Sequence, residues 1–541
     1  MKSKEIHNLF GEPLSDEIER FVVKNKTLSF KKKSKATKDY HYIPIKNIKY
    51  KKETKQFLNE MLGLLKSGRY EIDQILYALG KELTGGKQLP DFLKSESDLK
   101  ICVPQKVRGE HDLLGDCYQY LTCKHERLKK GSFYTTESIV DKIVECIHID
   151  EQTSVFDPAC GSGNLILNKK VTNPKQVHGI DLDPLAVMCC QFNYYLKFGN
   201  DVSQPDIRCG NFMDIVAAGS EKKFDVVICN PPYGADMEIS RNVKSEVNSV
   251  DCLDFFVEHA SEMAEVSVFV LPETVINVKK HDSLRNWILN KKKLSEIRSF
   301  GAGIAGTLYN IVSLTLNHEK NNNYFFDGKQ VNYDFTINML DGKFRPIGNE
   351  DMEFIRKMYG VPHQTLAKCK HVTGIVTGND DKFLMDNPTD YSEAIITGKN
   401  VEAYQITGEK YINYEEVRNQ LAISVKDSYF RTREKLIYHT VSRYLQFAID
   451  TKGRLTTCTA NFFLVKDIKI STKCIMAIFN SKIYNRLNIL LFGDKVNRGC
   501  NIKKLPIPII DDDLQRVIEQ YVDEMKYEEI ESVLEEIFQL K

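Results

Sequence analysis

Apolar residues in the first hundred positions recur at helical spacing. Phe57, Met61, Leu62 and Leu65 follow a lysine run, and Ile72, Ile75, Leu76 and Leu79 continue the period. This predicts a helical extension over residues 1–104. From about residue 105 the pattern changes to short apolar runs that end in loop signals and alternate with helical stretches, which is how a parallel α/β sheet reads. The candidate strands are Ser154 to Phe156, Val177 to Ile180, Ile207 to Cys209, Phe224 to Cys229, Val266 to Leu271 and Ile311 to Leu316. Beyond residue 345 the chain turns irregular, with polar clusters such as Thr377-Gly378-Asn379-Asp380 and Asp386-Asn387-Pro388, and it closes on an acidic helical segment from Leu514 to Leu540. The organisation expected is a basic helical extension at 1–104, a doubly wound α/β domain at 105–345 and an α+β domain at 346–541.

Composition narrows this picture. A chain of 541 residues exceeds one ordinary domain. No apolar run approaches the roughly 18 residues of a membrane span, and the N-terminus lacks the apolar core of a signal peptide, so a cytoplasmic protein with reduced cysteines is expected. None of the fourteen cysteines falls in a C-x-x-C pair, so no metal site is expected. The formal net charge of +1 conceals two poles. Residues 31–55 hold ten lysines against Asp39 and Glu53, whereas residues 511–541 hold eleven acids against Arg516, Lys526 and Lys541. A basic run is commonly a solvated face and becomes a phosphate contact only in the right setting.

The first chemical signal is SVFDPACGSGNLIL, an apolar strand followed by Asp157-Pro158-Ala159-Cys160-Gly161-Ser162-Gly163 and a helical run. Gly161 and Gly163 remove side chains where a ligand must lie against the backbone. Eighteen residues after Gly163 a second strand ends in Asp181, an acid able to accept hydrogen bonds from both hydroxyls of a ribose. The position three after Gly163 is Ile166, which does not complete a G-x-G-x-x-G dinucleotide pattern, so a single nucleoside-like ligand such as S-adenosylmethionine is favoured over NAD. A third strand ends in Gly210-Asn211-Phe212, an amide for a purine edge and an aromatic face for the ring, although Phe212 reads equally well as core.

A fourth strand, FDVVIC, runs into Asn230-Pro231-Pro232-Tyr233. Two prolines fix φ near −65° and lack N–H donors, so the turn is stiff and its carbonyls accept. An exocyclic aromatic amine is a poor nucleophile because its lone pair is delocalised into the ring. The Asn230 side-chain oxygen and the Pro231 carbonyl can hold its two N–H groups, and acceptors aimed at the charge that builds on nitrogen are an electrostatic form of catalysis. Tyr233 offers a stacking platform for an extruded base.

With these motifs in this order, residues 105–541 resemble the gamma class of N6-adenine DNA methyltransferases, the TaqI type. Gly131-Ser132-Phe133-Tyr134-Thr135-Thr136 resembles the family's opening segment, in which the threonine matching Thr135 helps hold the methionine end of the cofactor. The turn from Asp157 to Gly163, with Ala159 and Gly161, and then Asp181 and Asn211-Phe212, match the family's methionine, ribose and adenine contacts in turn. Val250-Asp251-Cys252-Leu253-Asp254-Phe255-Phe256 resembles the helix after the catalytic loop, and GIVTGNDDKF, TGKNV, AIFNSKIYN and LPIPI resemble segments of the C-terminal target-recognition domain. The chain departs from the family at three places. Thr136 replaces a usual proline, Asn211 stands where aspartate is common, and Ile304 falls where a second aromatic should sandwich the base, with Phe300 or Tyr309 as substitutes.

The resemblance implies a methyltransferase that uses S-adenosylmethionine to modify N6 of a flipped adenine in double-stranded DNA. It implies action as a monomer without an obligate protein partner, beside a cognate restriction endonuclease or alone, in a bacterial cytoplasm near the nucleoid. For DNA contact the C-terminal region offers Arg431, Arg433, Lys435 and Arg443 in one stretch and Lys495 and Arg498 in another. Two other readings share the motif. Asn-Pro-Pro-Tyr also serves enzymes acting on protein glutamine or RNA, which are typically compact, and a catalytically silent DNA-binding subunit would keep the fold, although the intact Asn230 to Tyr233 tetrad and Asp181 argue against decay.

Overall fold

The computed structural model describes residues 27–29, 50–95, 97–109, 112–122, 135–219, 222–233, 238–240, 243–249, 251–291, 293–302, 310–319, 321–420, 425–466, 468–493 and 496–540. The lysines before Tyr50, Gly131 to Tyr134, Ile304, Tyr309 and Lys495 lie outside these residues. The chain forms two compact units, Met1–Pro346 and Ile347–Lys541.

In the first unit, helices α1 (Lys52–Lys66) and α2 (Ile72–Leu83) are amphipathic and bury the apolar positions that the periodicity marks, among them Phe57, Met61, Leu62, Ile75, Leu76 and Leu79. They share one core with α3 (Leu113–Leu121) and α5 (Pro184–Phe198), a helix that follows α4 (Glu137–Val144). Tyr77 meets Phe192 edge-on at 5.6 Å. Gly80 lets the helices touch, because a Cβ there would lie 2.3 Å from the Phe192 ring.

The unit is built on a nine-stranded sheet. Its strands are β1 (Val155–Asp157), β2 (Val177–Asp181), β3 (Asp206–Cys209), β4 (Phe224–Cys229), β5 (Ala264–Pro272), β6 (Leu294–Ala302), β7 (Asn310–Asn317), β8 (Asn323–Phe326) and β9 (Lys329–Asn332). Their order is β9-β8-β6-β7-β5-β4-β1-β2-β3. From β5 to β3 all pairings are parallel, whereas β7 runs antiparallel between β5 and β6. The central parallel strands are the most apolar, with β1 buried at all three positions and β4 at five of six, whereas β3 at the edge is buried at Ile207 alone. Strand order reverses between β1 and β4, and in open α/β sheets that switch point opens a ligand crevice at the carboxyl ends.

The second unit holds a four-stranded antiparallel sheet of Lys370–Val372, Ala460–Leu464, Lys435–His439 and Phe447–Asp450, and a three-stranded sheet of Lys410–Ile412, Glu393–Ile396 and Leu455–Thr456. Helices Thr472–Asn480 and Lys482–Phe492 pack with the acidic helices Asp512–Asp523 and Tyr527–Ile537 through Ile518, Ile530, Leu534 and Phe538. Among the described residues no helix is long and apolar enough to cross a membrane.

Candidate active site

Four strand ends at the carboxyl edge of the sheet carry the residues that the motifs single out. At the end of β1, Asp157 is 1% exposed, and its carboxylate accepts a 2.9 Å bond from the Ala159 N–H. Burial lifts its pKa to about 7, against the pull of that N–H and of the Cys229 thiol. The turn then passes through Gly161 at φ +55° and Gly163 at φ +94°, where L side chains are strained. The Cys160 N–H stitches the turn to the Ile180 carbonyl at 3.0 Å.

Asp181 ends β2 with its carboxylate steered from two sides. Oδ2 accepts from the Gly161 N–H and Oδ1 from the Asp183 N–H, each at 2.8 Å, and its carbonyl accepts from the Gly210 N–H at 2.9 Å. A carboxylate oxygen can accept more than one hydrogen bond, as a ribose hydroxyl would require. The open turn, the steered carboxylate and the buried acid of Asp157 form a donor and acceptor set that fits a nucleoside with a charged amino acid tail, as in S-adenosylmethionine. Asn211 caps a short helix, Phe212–Ala217, by accepting from the Met213 N–H at 3.1 Å. Phe212 is 2% exposed, with Phe156 and Phe256 rings 6.3 and 5.2 Å away, so its ring belongs to the core.

Asn230 follows β4. Its Nδ2 donates to the buried Thr135 hydroxyl at 3.2 Å, and its Oδ1 accepts from the Tyr233 hydroxyl. Tyr233 also faces the Val270 carbonyl at 2.7 Å. One phenolic proton thus lies between two acceptors, and burial pushes the Tyr233 pKa well up, so the hydroxyl stays protonated. The structure joins Thr135, Asn230 and Tyr233 in one cluster.

Several contributors carry no chemical signature in sequence. The Cys252 thiol, on the first residue of helix Cys252–Ser261, donates to the Pro232 carbonyl at 3.3 Å. Behind it a network centred on the buried Asp254 and His281 braces that helix: His281 meets Asp254 at 2.8 Å, Ser249 donates to Asp254 at 2.5 Å, and the partly exposed Lys280 pairs with Asp251 at 2.5 Å. Asn164, directly after the glycine turn, donates from Nδ2 to the Thr135 carbonyl at 2.5 Å. The V-D-C-L-D run marks the helix containing Cys252, but nothing in an isolated thiol or amide marks its partner.

In the second unit the candidate DNA contacts separate. Lys435 is a correction: it is fully buried, 3.2 Å from Asp450, and gives further bonds to the Phe430 and Arg454 carbonyls, so it cannot reach a phosphate. Burial pulls its pKa down to about 8 despite that ion pair. Burial opposes the charge on Asp450 too, yet Lys435 and Arg454 hold its pKa below the ordinary value. Arg431 is paired with Glu393 and Asp427. Arg433, Arg443 and Arg498 are exposed. Arg443 lies over the Tyr444 ring at 5.5 Å, on a loop whose carbonyls at Ser442 and Tyr444 each accept from the buried Asn497 amide at 3.1 Å. That amide sets Arg498 beside the loop carrying Arg443.

A profile of the N-6 DNA Methylase family matches residues 109–380, and one of the TaqI-like C-terminal specificity domain matches residues 393–505. Type II methyltransferase M.CvrRI of Paramecium bursaria Chlorella virus XZ-6E is 31% identical over 111 residues, 20% of this chain and 26% of that protein. The EcoEI methylase subunit, a type I restriction enzyme component of Escherichia coli, is 26% identical over 166 residues, 28% of this chain and 34% of that protein. The chain thus spans about a quarter to a third of the length of these curated relatives. Among solved structures, the type IIL restriction-modification enzyme MmeI in complex with DNA matches 90% of this chain and 91% of its own, at a TM-score of 0.57 and 12% identity, a likeness of fold. The first profile covers just over half of the 541 residues, and the chain belongs to the N-6 DNA methylase family.

Proposed function

We propose that this chain transfers a methyl group from S-adenosylmethionine to N6 of an adenine flipped out of duplex DNA at a specific sequence, as the modification activity of a restriction-modification system or as a solitary methylase. The observation that carries this reading is the placement of Asn230-Pro231-Pro232-Tyr233 at the switch point of the sheet, beside the Asp157–Gly163 turn and Asp181. The match to a specificity domain, and the fold shared with a protein solved in complex with DNA, support DNA over RNA or protein as the substrate.

Asp181 would hold the ribose of the cofactor, the turn through Ala159, Gly161 and Gly163 its backbone-facing edge, and Asp157 the ammonium of its amino acid end. When bound, S-adenosylmethionine supplies an electrophilic methyl group on a positively charged sulfur. The Tyr233 hydroxyl donates to the Asn230 oxygen. An entering adenine takes over that acceptor with one N6–H and reaches the Pro231 carbonyl with the other. These two acceptors stabilise the positive charge that grows on nitrogen as its lone pair leaves the ring. The Tyr233 ring serves as the stacking surface that offsets the few kcal/mol spent on unstacking. Arg433, Arg443 and Arg498 are the exposed cations proposed to meet DNA, with Arg431 already neutralised by two carboxylates.

Asn230→Ala removes one acceptor without touching Asp157 or Asp181. It is expected to abolish transfer while calorimetry shows cofactor binding largely intact, and full activity in that variant would overturn the assignment.

A further inference from the structure

We propose that Thr135 is a positioning residue for Asn230, and that a hydrogen-bonded relay, Asn164–Thr135–Asn230, ties the catalytic carboxamide to the cofactor turn. This rests on the methyl-transfer reading above and goes beyond a cofactor-holding role for Thr135.

A carboxamide has one accepting end and one donating end of nearly equal shape. An incoming amine brings N–H donors, so only the orientation with Oδ1 toward it is productive, and the Nδ2 end must then donate elsewhere. The Thr135 hydroxyl, 4% exposed and 3.2 Å from Nδ2, is an acceptor placed for that purpose. Thr135 is held in turn from behind. Its carbonyl accepts from Asn164 Nδ2 at 2.5 Å, and Asn164 is the residue after Gly163 in the turn. The backbone that would receive the cofactor and the amide that would receive the amine are therefore two hydrogen bonds apart, linked through one threonine.

Thr135→Val keeps the side-chain shape and removes the acceptor, and Thr135→Ser restores it. Loss of that acceptor in the reacting state is expected to lower kcat, read at saturating cofactor, about ten- to hundredfold, a larger factor than any rise in the cofactor Kd from calorimetry, with the KM for DNA within about twofold of wild type. Thr135→Ser should recover most of the rate. Should Thr135→Val fail to fold, Thr135→Ala against Thr135→Ser gives the same comparison. A wild-type kcat in the valine or alanine variant, or a loss matched by an equal loss of cofactor affinity, would overturn the relay. Absence of transfer by the wild type strikes the functional reading itself, whereas transfer by the wild type with an unaltered kcat in Thr135→Val strikes the relay alone.

Discussion

Asp157 and Lys435 are buried charges with opposite consequences. In the unfolded chain Asp157 titrates near 3.8, and in the folded protein near 7, so between these values the folded state binds more protons. Its contribution to stability is full below about pH 4 and is lost as pH rises through about 7. Asp157→Asn should therefore leave Tm nearly unchanged at pH 4 and raise it relative to wild type at pH 8, in protein without cofactor. An ammonium ligand prefers the charged carboxylate, so cofactor affinity in the wild type should weaken as pH falls below 7 and should lose most of that dependence in Asp157→Asn. Calorimetry at pH 6 and 8 checks both, and a wild-type Kd that is flat across that window would contradict the role given to Asp157. Lys435 is committed to Asp450 in the interior. Lys435→Ala should cost about 3–5 kcal/mol of stability by leaving a buried partner behind, visible as a large drop in Tm. Arg443→Ala should stay within about 0.5 kcal/mol of wild type and instead weaken DNA binding and flatten its salt dependence. The reverse pattern would show that the exposed loop is inert and that Lys435 does not carry the packing described.

At the scale of elements, the strands that the apolar runs predict are present: Phe224–Cys229 has the expected bounds, Val155–Asp157 is shifted by one residue, and the other four are longer by a residue or two at one or both ends. β6 went unread because LSEIRSFGA mixes charged and apolar residues, and register shifts between Leu294 and Glu296 and between Ser299 and Gly301 break the period of two. The turn after β1 was legible because its chemistry is local: glycines where φ is positive, an acid at the strand end. Gly163→Ala tests that element directly. A Cβ there would lie 2.6 Å from the Cys190 sulfur and 2.8 Å from Leu167 Cδ1 at a φ of +94°. The variant should lose about 1–3 kcal/mol through strain and overpacking and bind cofactor more weakly, as thermal denaturation and calorimetry would show. Wild-type behaviour in both would mean that the backbone has another way through the turn. The Cys252–Pro232 and Asn164–Thr135 bonds escaped the sequence because each joins positions 20 and 29 residues apart, a distance that no local pattern spans.

For the whole molecule, motif order carried more information than composition. A net charge near zero says nothing of nucleic acid, whereas a glycine turn, a distal acid and Asn-Pro-Pro-Tyr fall in succession along one sheet edge, and the proposed cofactor and amine sites rest on that order. The basic stretch at 431–443 read as one surface in sequence, and the fold divides it: the β-strand Lys435–His439 turns its first side chain inward, and the loop beyond it presents Arg443 outward. The measurement that tests the central claim most directly is transfer of labelled methyl from S-adenosylmethionine to genomic DNA lacking adenine methylation, followed by nucleoside analysis and mapping of the modified sites. N6-methyladenine confined to one short sequence is the predicted result, and label absent from DNA but found in RNA or protein would contradict it.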